Sequence, residues 1–519
     1  MKKLFVLLVA LCALLLVAGC GGNKSGGSSA GKGTPKDTLV VATGVEPATI
    51  DPGVSMDVWI VSYPCYDRLV TYKKGSTEVQ PSVAESWQAS ADGLQWTFKL
   101  RKDVKFQDGT PLDAKAVKFT FDRILKLKKG PSDYFPTLKS VEVVDANTVK
   151  FIMDKPFSPF LYTLATNCGN LVNPKVMDKA KGDDMGSGYL AAATMGSGPY
   201  KLAEWNRGQN MKLVANENYW GKKPALKTVI LQIIKDASGQ RLQLEKGDVD
   251  IAKHIPMEQM TELAKNKDIV INQAPGLKVS YLYLNNGKAP FNDVKVRQAM
   301  NYAMDYKAIL DGTIKGKGLK LGGPIPKGMW GYDESLKGYT TDIEKAKSLL
   351  QAAGKNGMTV KLSYANYESF WEAEALLIQN SLQKVGIKCE LEKIAWATLR
   401  EKLQNGDYEM ALGTWMPDFG DPYQYMNCFY DSTMKGLPVY RDRYKNPAMD
   451  KYLSQALAVS DQGQRTAIYK NAQKLAIDDA AYVLLFQADS MVPLRKNVKG
   501  YVFNPMLEGM FEFQDLSKE

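Results

Sequence analysis

One histidine, His254, stands in a chain of 519 residues, and its isolation removes several kinds of chemistry at once. A HExxH zinc protease needs two histidines one helical turn apart, and protein nitrogen ligands for nickel or haem are all but missing. A serine triad would have to be built on His254, which follows Asp250-Ile-Ala-Lys and reads as a surface turn. No GxSxG elbow joins a strand to a helix, and no GxxxxGK[ST] phosphate loop occurs. Gly196-Ser-Gly198 and Gly316-Lys-Gly318 read as turn glycines. Neither an enzyme nor a bound cofactor or metal is expected. Cysteine is scarce too. Beyond Cys12 and Cys20 there are Cys65, Cys168, Cys389 and Cys428, too widely spaced for a metal or redox motif and able to pair in three ways or not at all. Internal repeats are absent. Past the N-terminus no apolar run nears a membrane span, the best being Ala480-Ala-Tyr-Val-Leu-Leu-Phe486, which has strand length.

What the N-terminus does contain is Lys2-Lys3 and then an apolar run from Leu4 to Gly19, short of the roughly 20 residues of a spanning helix. The run ends in Val17-Ala18-Gly19-Cys20, which resembles a bacterial lipoprotein signal whose Cys20 is lipidated and becomes the new N-terminus. A Gly/Ser run to Gly33 follows and cannot bury apolar surface, so it reads as a flexible tether. The expectation is a signal over 1–19, a tether over 20–36, and a body held at the extracytoplasmic face of a membrane through Cys20. The formal charge of +11 includes Lys2 and Lys3, and the rest is spread thinly. Without a basic cluster, nucleic acid is not an expected partner.

The body is ordinary globular material, 45% hydrophobic across the chain and long enough for two or three domains. Thr38 to Ala42 reads as a strand. Trp96 to Leu100 alternates, Val104 to Phe106 extends that strand pattern, and Asp113 caps a helix whose Val117, Phe121, Ile124 and Leu125 share a face. Ser140 to Met153 is a hairpin turning at Asp145-Ala-Asn147. Strands follow over Met211–Val214, Thr228–Ile234, Asp250–Ala252 and Tyr281–Asn285, with helices over Ala237–Gly247 and Val296–Met304. Thr341-Asp-Ile-Glu344 is a capping box for a helix that stops at Gly354. Met358 to Tyr364, Glu372 to Val385 and Ile387 to Ile394 make a strand-helix-strand unit. The class is α/β with mixed sheets. After the short strand Glu409–Gly413, Gly413-Thr-Trp-Met-Pro-Asp-Phe-Gly-Asp-Pro422 puts Trp415 and Asp418 in a loop beyond a strand's carboxyl end, where open α/β sheets bind ligands. Asp418 and Asp421 could equally cap turns. Local sequence leaves both readings open.

The longer landmarks bear on that choice. Ala84-Glu-Ser-Trp87, Asp92-Gly-Leu-Gln-Trp-Thr-Phe-Lys-Leu-Arg101, Asp108-Gly-Thr-Pro111, Val117-Lys-Phe-Thr-Phe-Asp-Arg123, Asn218-Tyr-Trp220, Val296-Arg-Gln-Ala-Met-Asn-Tyr-Ala303 and Pro324-Ile-Pro326 resemble family 5 of the bacterial extracytoplasmic solute-binding proteins that serve ABC importers. The resemblance runs from about Thr38 to the C-terminus. It implies a two-lobed periplasmic-binding-protein-like fold with an extra subdomain in the N-terminal lobe. Lobe I would take 37–72, 195–281 and 487–519, the insertion 73–194, and lobe II 282–486. It also implies a monomer that delivers a peptide to the importer's transmembrane subunits. Asp418 would pair with the ligand's α-ammonium group, with Trp415, Trp396, Met56, Asp57 and Phe419 around the ligand. The matched positions for a cation on the ligand's distal carboxylate carry Glu372, Leu403, Gln404 and Leu412 instead. A longer peptide, or a chelated metal, haem or sugar held by the nearby aromatics, is the alternative, as is a surface peptide receptor.

Overall fold

The computed structural model describes residues 34–56, 59–434 and 441–519. The expectations on Cys20 and Asp57, with the signal and tether to Gly33, lie outside these. A mixed sheet of eleven strands dominates. At one end it runs through Tyr200–Asn206, Asn210–Ala215, Thr228–Ile233, Thr38–Thr43 and Ile251–Ala252. At the other it runs through Lys388–Lys393, Thr359–Tyr364 and Met410–Trp415. Between them lie Ile269–Leu284 and Tyr482–Arg495, antiparallel from Ile269↔Arg495 to Tyr283↔Tyr482. This ribbon connects the two ends of the sheet.

The sequence pattern predicts only the ends of that ribbon, Tyr281–Asn285 and Ala480–Phe486. Both strands are far longer because a bulge absorbs the breakers. Pro275 pairs with Asp489 and Val279 with Gln487, so the first strand carries two more residues than the second across the interval. The amide of Gln487 donates to the Gly276 carbonyl at 2.6 Å and to the Lys327 carbonyl at 2.7 Å, filling valences that the bulge leaves open.

A second, four-stranded antiparallel sheet orders Ala84–Ala89, Gln95–Leu100, Thr148–Met153 and Leu138–Asp145. Helix Ala114–Leu127 covers it, presenting buried Val117, Phe121 and Ile124, with Phe121 edge-on to Phe151 at 4.9 Å. Asp113 caps this helix, accepting from Lys115 and Ala116 N–H, as expected. Val104–Phe106 does not continue the strand; only an isolated bridge, Lys105↔Pro111, forms there. On its other face the helix sends Arg123 to Asp51, a bidentate pair at 2.9 and 2.5 Å with both side chains buried. A Cβ on Gly53 would sit 2.2 Å from the Arg123 guanidinium, so that loop accepts only glycine beside the pair.

Two further expectations change. At Thr341–Glu344 the cap is Asp342, which accepts from Lys345 N–H, while the Thr341 hydroxyl donates to Met304 C=O. Gly196 and Gly198 are packing glycines, not turn glycines: a Cβ on either would lie within 2.2 to 2.6 Å of the Cys65 backbone. The strand-helix-strand unit is as read, with Thr359–Tyr364 parallel to Lys388–Lys393. Cys65, Cys168, Cys389 and Cys428 are all buried free thiols. Among the described residues no helix is long and apolar enough to cross a membrane.

Removing Arg123 strands the Asp51 carboxylate in the interior. Arg123→Met should lower unfolding free energy by about 3–5 kcal/mol in urea denaturation, whereas an added Asp51→Leu should recover much of the loss. Equal instability of the single and double variants would show that packing, not the stranded charge, is responsible.

Candidate ligand site

Three parallel strands end at one edge, and the residues that follow them converge. Tyr367 comes three residues after Thr359–Tyr364, Trp396 three after Lys388–Lys393, and Asp418 three after Met410–Trp415. The pairings Tyr364↔Lys393 and Leu362↔Met410 force these carboxyl ends to the same side of the sheet. Trp415 is the last residue of its strand, opposite Val279, and not a loop residue as the sequence suggests. Trp396 stacks on Tyr367 with centroids 4.4 Å apart and leans on Trp371 at 6.0 Å. Trp415 stands edge-on to Phe429 at 5.8 Å. Its indole N–H is buried without a hydrogen-bond partner among the described residues, a state that costs about 1–3 kcal/mol and that an added acceptor would relieve.

Asp418 and Asp421 share a loop and have opposite electrostatics. Asp421 caps the turn Pro422–Gln424, accepting from Tyr423 N–H at 2.9 Å, and is gripped by Arg465 at 2.6 and 2.8 Å with both side chains buried. Asp418 pairs with no cation among the described residues. Burial pushes its carboxyl up to about 6, and the Tyr134 hydroxyl, which donates to it, pulls the other way. Its own N–H donates to Gln424 Oε1 at 3.0 Å. The turn-cap reading therefore suits Asp421 and leaves Asp418 without a structural partner for its charge.

The loop is pressed from distant parts of the chain. Tyr72 Oη accepts from Gly420 N–H at 3.2 Å, Trp330 Nε1 donates to Gly420 C=O at 2.8 Å, and a Cβ on Gly420 would meet the Thr77 carbonyl at 2.6 Å. Phe419 lies edge-on to Tyr134 at 6.1 Å and stacks on Tyr423 at 5.9 Å. Tyr134 ends the turn Gly130–Tyr134, and Met56 packs on that turn, 3.2 Å from where a Gly130 Cβ would be. So Trp415, Asp418 and Phe419 adjoin one another, Trp396 shares their edge, and Met56 touches the facing segment.

Tyr134 carried no signal in the sequence, since nothing local links it to residue 418. Glu374 did carry one: it falls on the buried face of helix Trp371–Gln383 with Trp371, Ala375 and Ile378. It accepts from Ser280 Oγ at 2.7 Å, its other oxygen is unpartnered, and burial pushes it up to about 8. Of the positions matched to a distal cation, Leu403 and Leu412 are core, Gln404 is exposed, and Glu372 pairs with Lys393 at the surface. Tyr425 is core as well, donating to Leu277 C=O at 2.6 Å. His254 lies on an exposed irregular stretch, not a turn, and accepts from Gly44 N–H at 3.2 Å. The described residues contain no His/Cys/Asp/Glu group able to hold a metal.

An edge of aromatics around one carboxylate with no cation among the described residues, pressed from distant parts of the chain, is the candidate ligand site. Comparison with known proteins gives the family. The description "Bacterial extracellular solute-binding proteins, family 5 Middle" matches residues 78–436. The chain is 45% identical over 93% of its length, and 95% of the relative's, to a protein of Escherichia coli K12 named the probable D,D-dipeptide-binding periplasmic protein DdpA. It is 32% identical over 97% of both chains to the haem-binding protein A of Haemophilus influenzae. The solved structure of DppA from Helicobacter pylori in complex with the peptide STSA is 31% identical, with a TM-score of 0.76 over 93% of this chain and 98% of that one. The chain belongs to the family 5 bacterial extracellular solute-binding proteins. Its fold is accordingly the two-lobed one of periplasmic binding proteins, and its work is transport.

Tyr134→Phe removes a donor to the Asp418 carboxylate and should raise its pKa above about 6, because the charged form loses its one hydrogen bond. Carboxyl-carbon NMR titration of labelled aspartate would read this. An Asp418 titrating near an ordinary 4 in both proteins would show that the group is solvated.

Proposed function

We propose that this protein captures short peptides between its lobes and hands them to the membrane subunits of an ABC importer, binding them by the α-ammonium group at Asp418. The observation that carries this reading is the contrast within one loop: Asp421 is neutralised by Arg465, and Asp418 is left desolvated without a cation. A desolvated carboxylate calls for a charged donor. An ammonium supplies three donors, and the peptide's carbonyl can meet the idle Trp415 indole N–H. The relatives' names, a D,D-dipeptide binder and a complex with STSA, favour a peptide over haem. We read the protein as a carrier that leaves its ligand unchanged, in keeping with the solute-binding family to which it belongs.

The lobe division we propose has the ribbon as its support. The boundaries at 281/282 and 486/487 fall beside its register shifts, and the insertion 73–194 contains the separate four-stranded sheet. Cys20 is the lipid attachment site, and the monomer stands off the membrane on its tether. Cys20→Ala should therefore appear in the soluble fraction with ligand affinity unchanged; retention of processed protein in the membrane fraction would end the anchoring proposal.

Asp418→Asn keeps the shape and removes the charge. Loss of one member of a buried charge pair costs about 2–5 kcal/mol, so calorimetric affinity should fall roughly 30-fold to several thousand-fold. N-acetylating the peptide should cost wild type as much, and the two losses should not add. If acetylated and free peptides bind the wild type alike, Asp418 is not the ammonium anchor.

Affinity should also follow pH with a definite sign. Pairing with an ammonium lowers the Asp418 pKa from its unliganded value of about 6, so binding below that pH expels a proton. Affinity is full above about 6 and falls by up to tenfold per unit as the pH drops through it. The ligand's own α-amino group, near 8, sets the upper limit. In Asp418→Asn the acid limb should flatten; an unchanged acid limb would assign it to another group.

A further inference from the structure

We propose that Lys278 is the second charged anchor of the site, taking the carboxylate of a zwitterionic ligand about one dipeptide long. This rests on the reading of Asp418 as the ammonium anchor and extends it to the ligand's other end and its length.

A zwitterion buried at one charge needs a cation for the other, and the matched positions for one hold core leucines or surface groups. The ribbon offers a different source. Lys278 sits in the bulge between Pro275 and Val279, where two residues lack counterparts on the facing strand, and such bulges re-aim side chains. Val279 is opposite Trp415, so Lys278 lies one step beyond, alongside the segment leading to Asp418. Its ammonium is 3.0 Å from Glu368, the residue after the Tyr367 that stacks on Trp396. Lys278 therefore reaches the edge that holds both tryptophans.

Lys278 also has capacity to spare. Its ammonium has three N–H donors, Glu368 is the acceptor it uses, and 33% of its side chain is exposed. The surrounding charges leave room for an anion. Lys278 and Lys253 oppose Glu368 and Glu508, but burial holds Glu508 toward its neutral form, and its Oε2 is buried without a partner.

The spacing selects length. Lys278 stands one step past the Val279–Trp415 pair, level with Met416, and the two residue steps from Met416 to Asp418 cover at most about 7 Å of chain, the span of an extended dipeptide. Anchors this close suit two residues. A longer peptide would have to bulge or give up one charge contact.

The test is calorimetry on wild type, Lys278→Met and Lys278→Arg. The probes are L-Ala-L-Ala, D-Ala-D-Ala, the C-terminal amide and the N-acetyl form of whichever binds tighter, and tri- and tetra-alanine. We expect C-terminal amidation and Lys278→Met each to weaken binding 30-fold or more without adding, Lys278→Arg to restore much of it, and the longer peptides to bind at least tenfold more weakly. Because Lys278 belongs to the ribbon, equal melting temperatures for the variants exclude a folding effect. If amidation leaves wild-type affinity unchanged while N-acetylation abolishes it, Lys278 is not an anchor and the Asp418 reading stands. Tri- or tetra-alanine binding as tightly as the dipeptide would overturn the length assignment. If N-acetylation has no effect, or neither dipeptide binds, the reading of Asp418 falls and this inference with it.

Discussion

The two ends of the main sheet are joined through the antiparallel ladder between Ile269–Leu284 and Tyr482–Arg495. One end of the ribbon is bonded to Ile251–Ala252 and through it to Thr38–Thr43, and the other to Met410–Trp415. Two strands are thus the shared backbone of both ends of the sheet, and the second returns from near the C-terminus to close the path. A ribbon of two strands bends and twists more readily than a broad sheet, and the bulge concentrates that compliance near Pro275–Tyr281, beside the candidate ligand edge. Geometry at the site and geometry at the joint are therefore not independent.

Buried charge divides the structure into parts that are complete and a part that is not. Arg123–Asp51 and Arg465–Asp421 are bidentate, sequestered and satisfied; each fastens a loop to a helix and asks for nothing more. Asp418 lies three residues from one of them and, among the described residues, has the Tyr134 hydroxyl as the donor to its carboxylate. Glu374 is held by Ser280 and tolerated as a protonated acid. A carboxylate with a raised pKa at a strand's carboxyl end, beside an edge of aromatics, is the candidate we propose for receiving an external charge.

Much of the fold was legible locally. The helix after Asp113, the hairpin to Met153 and the parallel unit around Glu372–Val385 depend on periodicity and caps that lie within a few residues. The ribbon was not, because Pro275, Gly276 and Pro493 read as strand breakers and only pairing across some two hundred residues of sequence overrides them. The same holds at the site. Asp418 and Trp415 could be singled out from their position after a short apolar strand and from family resemblance. Tyr134, Lys278 and the pairing of Asp421 with Arg465 are contacts between distant segments and left no trace in spacing. Thr341 was misread because a capping box and a single Asp cap differ by one residue of phase, which tertiary contact with Met304 decides.

The four thiols have a consequence for how the chain matures. Each is enclosed in apolar surroundings that disfavour the thiolate, with the Cys389 thiol pushed up to about 12 and the other three also raised. Thiol–disulfide exchange proceeds through the thiolate and needs access to it. A chain whose native state joins none of these four cysteines needs no oxidant to complete them, and once folded its thiols are poor partners for exchange.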